Sequence, residues 1–346
     1  MRIIIIILFV FVIVTFSAQD AHFSQYYNAP LLQNPANAGA FNGDMRAVSN
    51  FRNQWSSVES PYKTFGLSLE SQLLKYKWPN NYLGLGLSFL NDKAGDLSMG
   101  STQTALTVSS ILALSPDLTM TVGIQPIFVQ YSVDLTNAQT SSQYNGVYLD
   151  PSLSIGESNI NNSFSFFDVG AGVTFNYSRG ESNIAAHDMF IVNVGFAFQH
   201  LNRSELQFST LDSWYPKIVA HGISNIGLRY SKLSMMPSYL IMLQGPQTEI
   251  TAGSMVRLFF KEASRFTGNI SESALLFGAH YRWSDAVIAS AGIHIGEYYL
   301  QLSYDINISP LRRSSKYRGG FEITFKYTNP EMFGVGSAAS LDPKFM

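Results

Sequence analysis

Cysteine is absent from this chain, so neither a disulfide nor thiol chemistry can contribute to its fold or function. Charge is scarce as well: Asp, Glu, Lys and Arg make up 13% of the 346 residues, about half the share usual in a soluble domain. A net formal charge of −2 argues against a nucleic-acid partner. The sequence holds no Gly-rich phosphate loop, no HExxH pair and no GxSxG elbow. Its histidines, His22, His187, His200, His221, His280 and His294, have no metal-ligand spacing. No catalytic residue, cofactor or metal is therefore expected, and the chain reads as non-enzymatic. Helical periodicity is missing after the first twenty residues. The apolar run from Ile3 to Val14 falls short of the roughly 20 residues a membrane-crossing helix needs.

That run follows Met1-Arg2 and precedes the small residues Thr15, Ser17 and Ala18, which reads as a signal peptide over residues 1–19. Cleavage is expected within residues 17–20. With no Cys there, the exported chain is not a lipoprotein.

Aromatic residues are plentiful, at 14%. From about residue 46 to 328 they take part in an alternation with a period of two. Phe65, Leu67 and Leu69 alternate with Gly66, Ser68 and Glu70; Phe321, Ile323, Phe325 and Tyr327 alternate with Glu322, Thr324 and Lys326. About fourteen strands of roughly 8–13 residues can be counted, against the 9–11 that cross a bilayer. Ser115-Pro116-Asp117 marks a tight hairpin turn. Residues 132–163 and 201–214 read as long polar loops, and 216–228 and 236–244 as less regular strands.

The second face of each strand decides the class. In a soluble sandwich or propeller it would be charged and wet; here it is mostly Gly, Ser, Thr and Asn. An apolar outside and a small, polar inside mark an all-β, transmembrane, antiparallel β-barrel. Trp55, Tyr82, Trp214, Tyr215, Trp283 and Tyr327 near strand ends fit interfacial aromatic girdles. The scattered charges Arg52, Glu70, Asp168, Arg257, Arg282, Asp305 and Glu322 fall on the inner face. There they are expected to tie a plug or neighbouring strands together. His200, His221, His280 and His294 are expected to line the lumen too.

If the barrel starts in the periplasm, the 132–163, 201–214 and basic 307–318 loops face outward. The 261–273 connection is then periplasmic and the short Trp283-Ser284-Asp285 turn external, which inverts the usual length rule. Arg312, Arg313, Lys316 and Arg318 form the densest basic cluster. It reads either as a solvated loop or as a contact for lipopolysaccharide phosphates or an acidic partner.

One stretch is irregular yet apolar. Residues 20–45 carry Phe23, Tyr26, Tyr27, Leu31 and Leu32 around Pro30 and Pro35, too many apolar groups for a free linker. Gln25 and Tyr26, the triplet Asn34-Pro35-Ala36, then Arg52, Gln54 and Trp55 form blocks that resemble the start of the PorP/SprF family of the type IX secretion system. Gln244-Gly245-Pro246, Tyr304-Asp305 and Gly319-Gly320-Phe321-Glu322 extend the resemblance along most of the chain. Many members end in Cys-Pro-basic-Phe, whereas this chain ends Asp342-Pro343-Lys344-Phe345-Met346.

The resemblance implies a Bacteroidota outer-membrane barrel related to the fourteen-stranded FadL-like barrels, with residues 20–45 as a lumen plug and 329–346 as a periplasmic tail. It implies type IX secretion machinery proteins and a secreted cargo adhesin as partners, with outer-membrane lipid around the barrel, in protein secretion and gliding motility. A FadL-like channel for hydrophobic small molecules is the alternative.

Overall fold

A strand with one apolar and one polar face can bury neither face alone, and its edges carry unpaired backbone groups that lipid will not accept. Closing the sheet answers both needs. The computed structural model describes residues 20–345 except 56–60, 76, 78–80, 96, 137, 151, 157–162, 181–186, 207–211, 262–271, 314 and 330–344. The expected signal segment 1–19 and most of the expected tail lie outside the described residues. Fourteen strands form a closed antiparallel barrel. They are β1 Met45–Gln54, β2 Tyr62–Leu73, β3 Asn81–Ala94, β4 Met99–Ala113, β5 Leu118–Ser132, β6 Ser163–Arg179 and β7 Phe190–Gln199. The second half comprises β8 Lys217–Gly227, β9 Leu233–Gln244, β10 Gln247–Lys261, β11 Ser273–Arg282, β12 Ala286–Ile295, β13 Tyr298–Asn307 and β14 Arg318–Asn329. Each strand pairs with its sequence neighbours, and β1 closes on β14 with Arg52 opposite Glu322. Among the described residues no helix is long and apolar enough to cross a membrane.

Odd-numbered strands run from the end holding Met45 and Asn329, the base, to the opposite end. That second end carries the 133–162, 200–216 and 308–317 connections and is called the loop end below. The 261–273 connection lies at the base and the Trp283-Ser284-Asp285 turn at the loop end, as the fourteen-strand count requires. Strand lengths run from 10 to 17 residues, and the longest, β6, reaches beyond what a bilayer needs. A short strand pair, Glu205–Leu206 with Asp212–Ser213, interrupts the loop expected over 201–214.

Face assignment follows the alternation. Phe65, Leu67 and Leu69 are exposed while Thr64, Ser68 and Glu70 are buried, and every inner-face charge named above points into the lumen. The pattern is weak over β8 and β9 because both faces are apolar there: Ile218, Tyr239 and Leu243 face out, and Val219, Leu240 and Met242 face in. Two aromatics expected in a girdle are instead buried in the lumen. Tyr82 packs with Ile111 near the base, and Trp214 packs with Val129 and stacks on His200 at the loop end. Trp283 and Tyr215 remain exposed.

Candidate functional site: the plug and its lumen wall

Residues 20–44 run down the lumen from the loop end to the base. Asp20 meets β7–β9 residues at the loop end, and the Asp44 backbone N–H donates to the Asn329 carbonyl at the base (2.9 Å). The segment lacks a sheet of its own, so its buried backbone groups must find partners on the wall. Inward-facing glutamines supply many of them. The Gln72 amide donates to the carbonyls of Gly39 (2.8 Å) and Phe41 (2.6 Å), Gln125 to Leu31 (3.3 Å) and Gln199 to Leu32 (2.9 Å).

The Asn-Pro-Ala triplet sits where the segment turns. Pro30 opens a single helical turn, Pro30–Gln33, and Pro35 opens a 3-10 turn, Pro35–Asn37, each at a position where its missing N–H costs nothing. The Asn34 side chain caps the second turn by accepting from the Ala36 N–H (2.9 Å). Its amide nitrogen donates to the Val173 and Phe196 carbonyls and lies 3.2 Å from His221 Nε2. Glycines in the wall leave room for this turn. A Cβ on Gly123 would come within 2.5 Å of the Pro35 carbonyl, and one on Gly84 would collide with the Ala38 carbonyl oxygen. The glycine-rich inner face is thus the imprint of backbone lying on backbone.

Nearer the loop end the contacts become ionic. The N–H groups of Ser24 (2.7 Å) and Gln25 (2.9 Å) donate to the Glu322 carboxylate, and Ser24 Oγ donates to Asp305 Oδ2 (2.7 Å). Asp305 also receives Arg52 Nη2 (3.1 Å) and Arg282 Nη2 (3.0 Å), while Arg52 Nη1 donates to the His22 carbonyl. Burial, with Arg52 and Arg282 nearby, brings the His22 imidazole down to about 4 despite Glu249 at 3.3 Å.

Between these layers Tyr26 fills an apolar hole formed by Ala197, Val219, Leu240 and Met242, and its hydroxyl donates to Ser238 Oγ (2.9 Å). Tyr27 stacks on His280, with ring centroids 5.3 Å apart. The inward apolar side chains that blur the alternation of β8 and β9 exist to seat this tyrosine pair's first ring.

Gln25, Tyr26, Asn34, Pro35, Ala36, Arg52, Arg282, Asp305 and Glu322 therefore meet at one interface. Gln54 and Trp55 do not join it: Gln54 ends β1 between Tyr62 and Gly320, and Trp55 packs edge-on against Tyr62. Glu70 holds Arg46 through two bonds (3.0 and 2.9 Å), linking β1 to β2. Asp168 accepts from His200 Nδ1 (2.7 Å). Arg257 pairs with Glu272 and borders a cavity of about 590 Å³ between the plug and the barrel wall. The cavity is lined in part by Tyr27, Met255, Leu276, His294 and Lys326. Of the C-terminal motif only Phe345 is described; it is buried against Tyr82 and Ile111, and its N–H donates to Asn42 Oδ1 (2.8 Å).

Sequence reasoning missed the wall glutamines and Asp20. Gln72, Gln125 and Gln199 stand at inward positions of the alternation, and that placement was their one available signal.

Residues 15–327 match the family model described as type IX secretion system membrane protein PorP/SprF. The chain belongs to the PorP/SprF family. No curated protein matches it. Among solved structures it is similar to the Ralstonia pickettii toluene transporter TbuX, at 9% identity over 87% of this chain and 94% of that one (TM-score 0.46). A Pseudomonas aeruginosa FadL homologue (9%, 85% and 98%, TM-score 0.40) and Haemophilus ducreyi BamA lacking POTRA domains 1–3 (9%, 83% and 70%, TM-score 0.42) are also similar. Membership makes this PorP/SprF protein a membrane component associated with type IX secretion.

Proposed function

We propose that this PorP/SprF protein is a Sec-exported, non-enzymatic outer-membrane component that assists export or surface attachment of a cargo adhesin, or links the barrel to the periplasmic secretion ring. The observation that carries the reading is the seating of the plug. It is held along the whole lumen by ionic, amide and apolar contacts, an arrangement suited to a scaffold rather than an open pore. The loop end is outside, since long connections in such barrels are extracellular. It offers a cargo the 133–162, 200–216 and basic 308–317 segments. The base, where Phe345 returns to Asn42, faces the periplasmic machinery. Deleting the gene is expected to leave a specific adhesin inside the cell; normal surface display of every type IX cargo would sink the proposal.

A channel for hydrophobic small molecules is the second reading, favoured by the 590 Å³ cavity beside Tyr27, which is of ligand size. Arg257, His294 and Lys326 on its wall weigh against a purely apolar substrate. Loss of hydrocarbon or fatty-acid uptake on deletion, with adhesin display intact, would establish it instead.

A further inference from the structure

Most plug contacts use neutral amides of the wall or wall carboxylates that face backbone N–H groups. At the loop end the polarity is reversed, and the wall carries the positive charge. One Asp20 carboxylate receives four donors. Oδ2 accepts from His200 Nε2 (2.7 Å) and Lys217 Nζ (3.2 Å), and Oδ1 from Trp214 Nε1 (3.0 Å) and Gln244 Nε2 (3.0 Å). All four donors are at least nine-tenths buried. They belong to the barrel, at the end of β7, just before and at the start of β8, and at the end of β9. Two of them, His200 and Trp214, are also held in place without Asp20. Asp168 orients His200 through Nδ1 (2.7 Å), and the Trp214 ring stacks on the imidazole at 3.7 Å. Charge-assisted bonds of this kind are strong and directional. Holding the segment in the lumen needs nothing so elaborate, as the neutral amides of Gln72 and Gln125 demonstrate farther from the loop end.

We propose that His200, Trp214, Lys217 and Gln244 form a carboxylate-binding site at the loop end of the barrel, occupied in the resting protein by Asp20 of its own plug. Its incoming ligand is a carboxylate on a polypeptide, either an Asp or Glu side chain or a chain terminus. Such a group exchanges with Asp20 and frees Asp20 and Ala21 from the mouth, while Arg52 at His22 and Glu322 and Asp305 at Ser24 and Gln25 still hold the plug below. The site is defined by the wall alone and stands whichever polypeptide the barrel handles.

The test uses the full-length protein in lipid nanodiscs, with Asp20→Ala to vacate the site and tryptophan fluorescence as the readout, Trp214 being one of the donors. Three N-acetylated hexapeptides are titrated: one with a central Asp and an amidated end, the same with Asn, and the Asn peptide with a free C-terminal carboxylate. Asp20→Ala is expected to bind at least one carboxylate peptide saturably, and the Asn amide roughly 10- to 100-fold more weakly, the loss expected when charge-assisted bonds disappear. Wild type, with its site filled, binds the same peptide at least about tenfold more weakly than the variant. Lys217→Gln added to Asp20→Ala abolishes the preference. Which carboxylate peptide binds separates a side chain from a terminus. Equal binding of all three peptides, or of none, overturns the proposal. If the alanine variant is not recovered folded, Asp20→Asn takes its place in the same titration, with the same results expected and the same results overturning the proposal.

Discussion

At the scale of the residue, the interface depends on a few buried charges. Asp305 balances Arg52 and Arg282 and also accepts from Ser24. Asp305→Asn leaves two buried guanidiniums without their shared counter-ion, and breaking such a pair costs about 3–5 kcal/mol. Urea unfolding in detergent micelles should register a loss of that order, whereas Arg229→Gln, at an exposed guanidinium paired with Asp188 at 3.4 Å, should register almost none. The loop-end contacts respond to pH. Burial alone would lower the His200 imidazole, but Asp20 and Asp168 together raise it above 6.5. Its contribution is fully present below about 6.5 and is lost as pH rises through the raised value. Burial alone would raise the Asp20 carboxyl, but Lys217 and His200 together hold it well below its usual 3.8. Its contribution is present above about 4 and lost as pH falls. Hydrogen exchange of residues 20–25, corrected for intrinsic rates, should be slowest between about pH 4 and 6.5 and rise on the alkaline side. His200→Asn should remove the alkaline rise; an unchanged profile in that variant would contradict the assignment.

At the scale of the element, the strands were legible and the plug's seat was not. Period-two alternation placed Phe65 outside and Glu70 inside with no three-dimensional information, because a strand in a closed barrel has two distinct environments. The same rule failed at Val219, Leu240 and Met242, inward residues chosen to meet Tyr26 rather than to line a polar lumen. It also sent Tyr82 and Trp214 to the lipid, since nothing local distinguishes an aromatic at an interface from one packed on a plug. Arg52, Asp305 and Glu322 were recognisable as inner-face charges, yet their convergence on Ser24 and Gln25 required the closure of β1 on β14. The glycines were visible as composition, and their purpose appears only once Pro35 lies against Gly123. Gly123→Val puts branched carbons where the Pro35 backbone stands, so it should loosen the plug and leave the barrel intact. Protease access to residues 30–40 with unchanged strand content by circular dichroism would bear this out; unchanged protection would refute it.

At the scale of the whole molecule, a fourteen-strand barrel surrounds a segment of its own chain that no sheet accommodates. The barrel supplies amides, an apolar hole and carboxylates in sequence from base to loop end, and the segment supplies matching groups in the same order. Tyr26→Ala removes the ring from that hole, and truncating a buried aromatic costs about 3–5 kcal/mol. Combined with Tyr27→Ala it takes away the middle layer of support. Everything above requires a lumen closed by this segment at rest. Single-channel recording of the purified full-length protein in a planar lipid bilayer measures that directly. Wild type should show no steady conductance, and the Tyr26→Ala, Tyr27→Ala double variant should show open-pore currents. A wild-type protein that already conducts steadily, or a double variant that stays silent while correctly inserted, would contradict it.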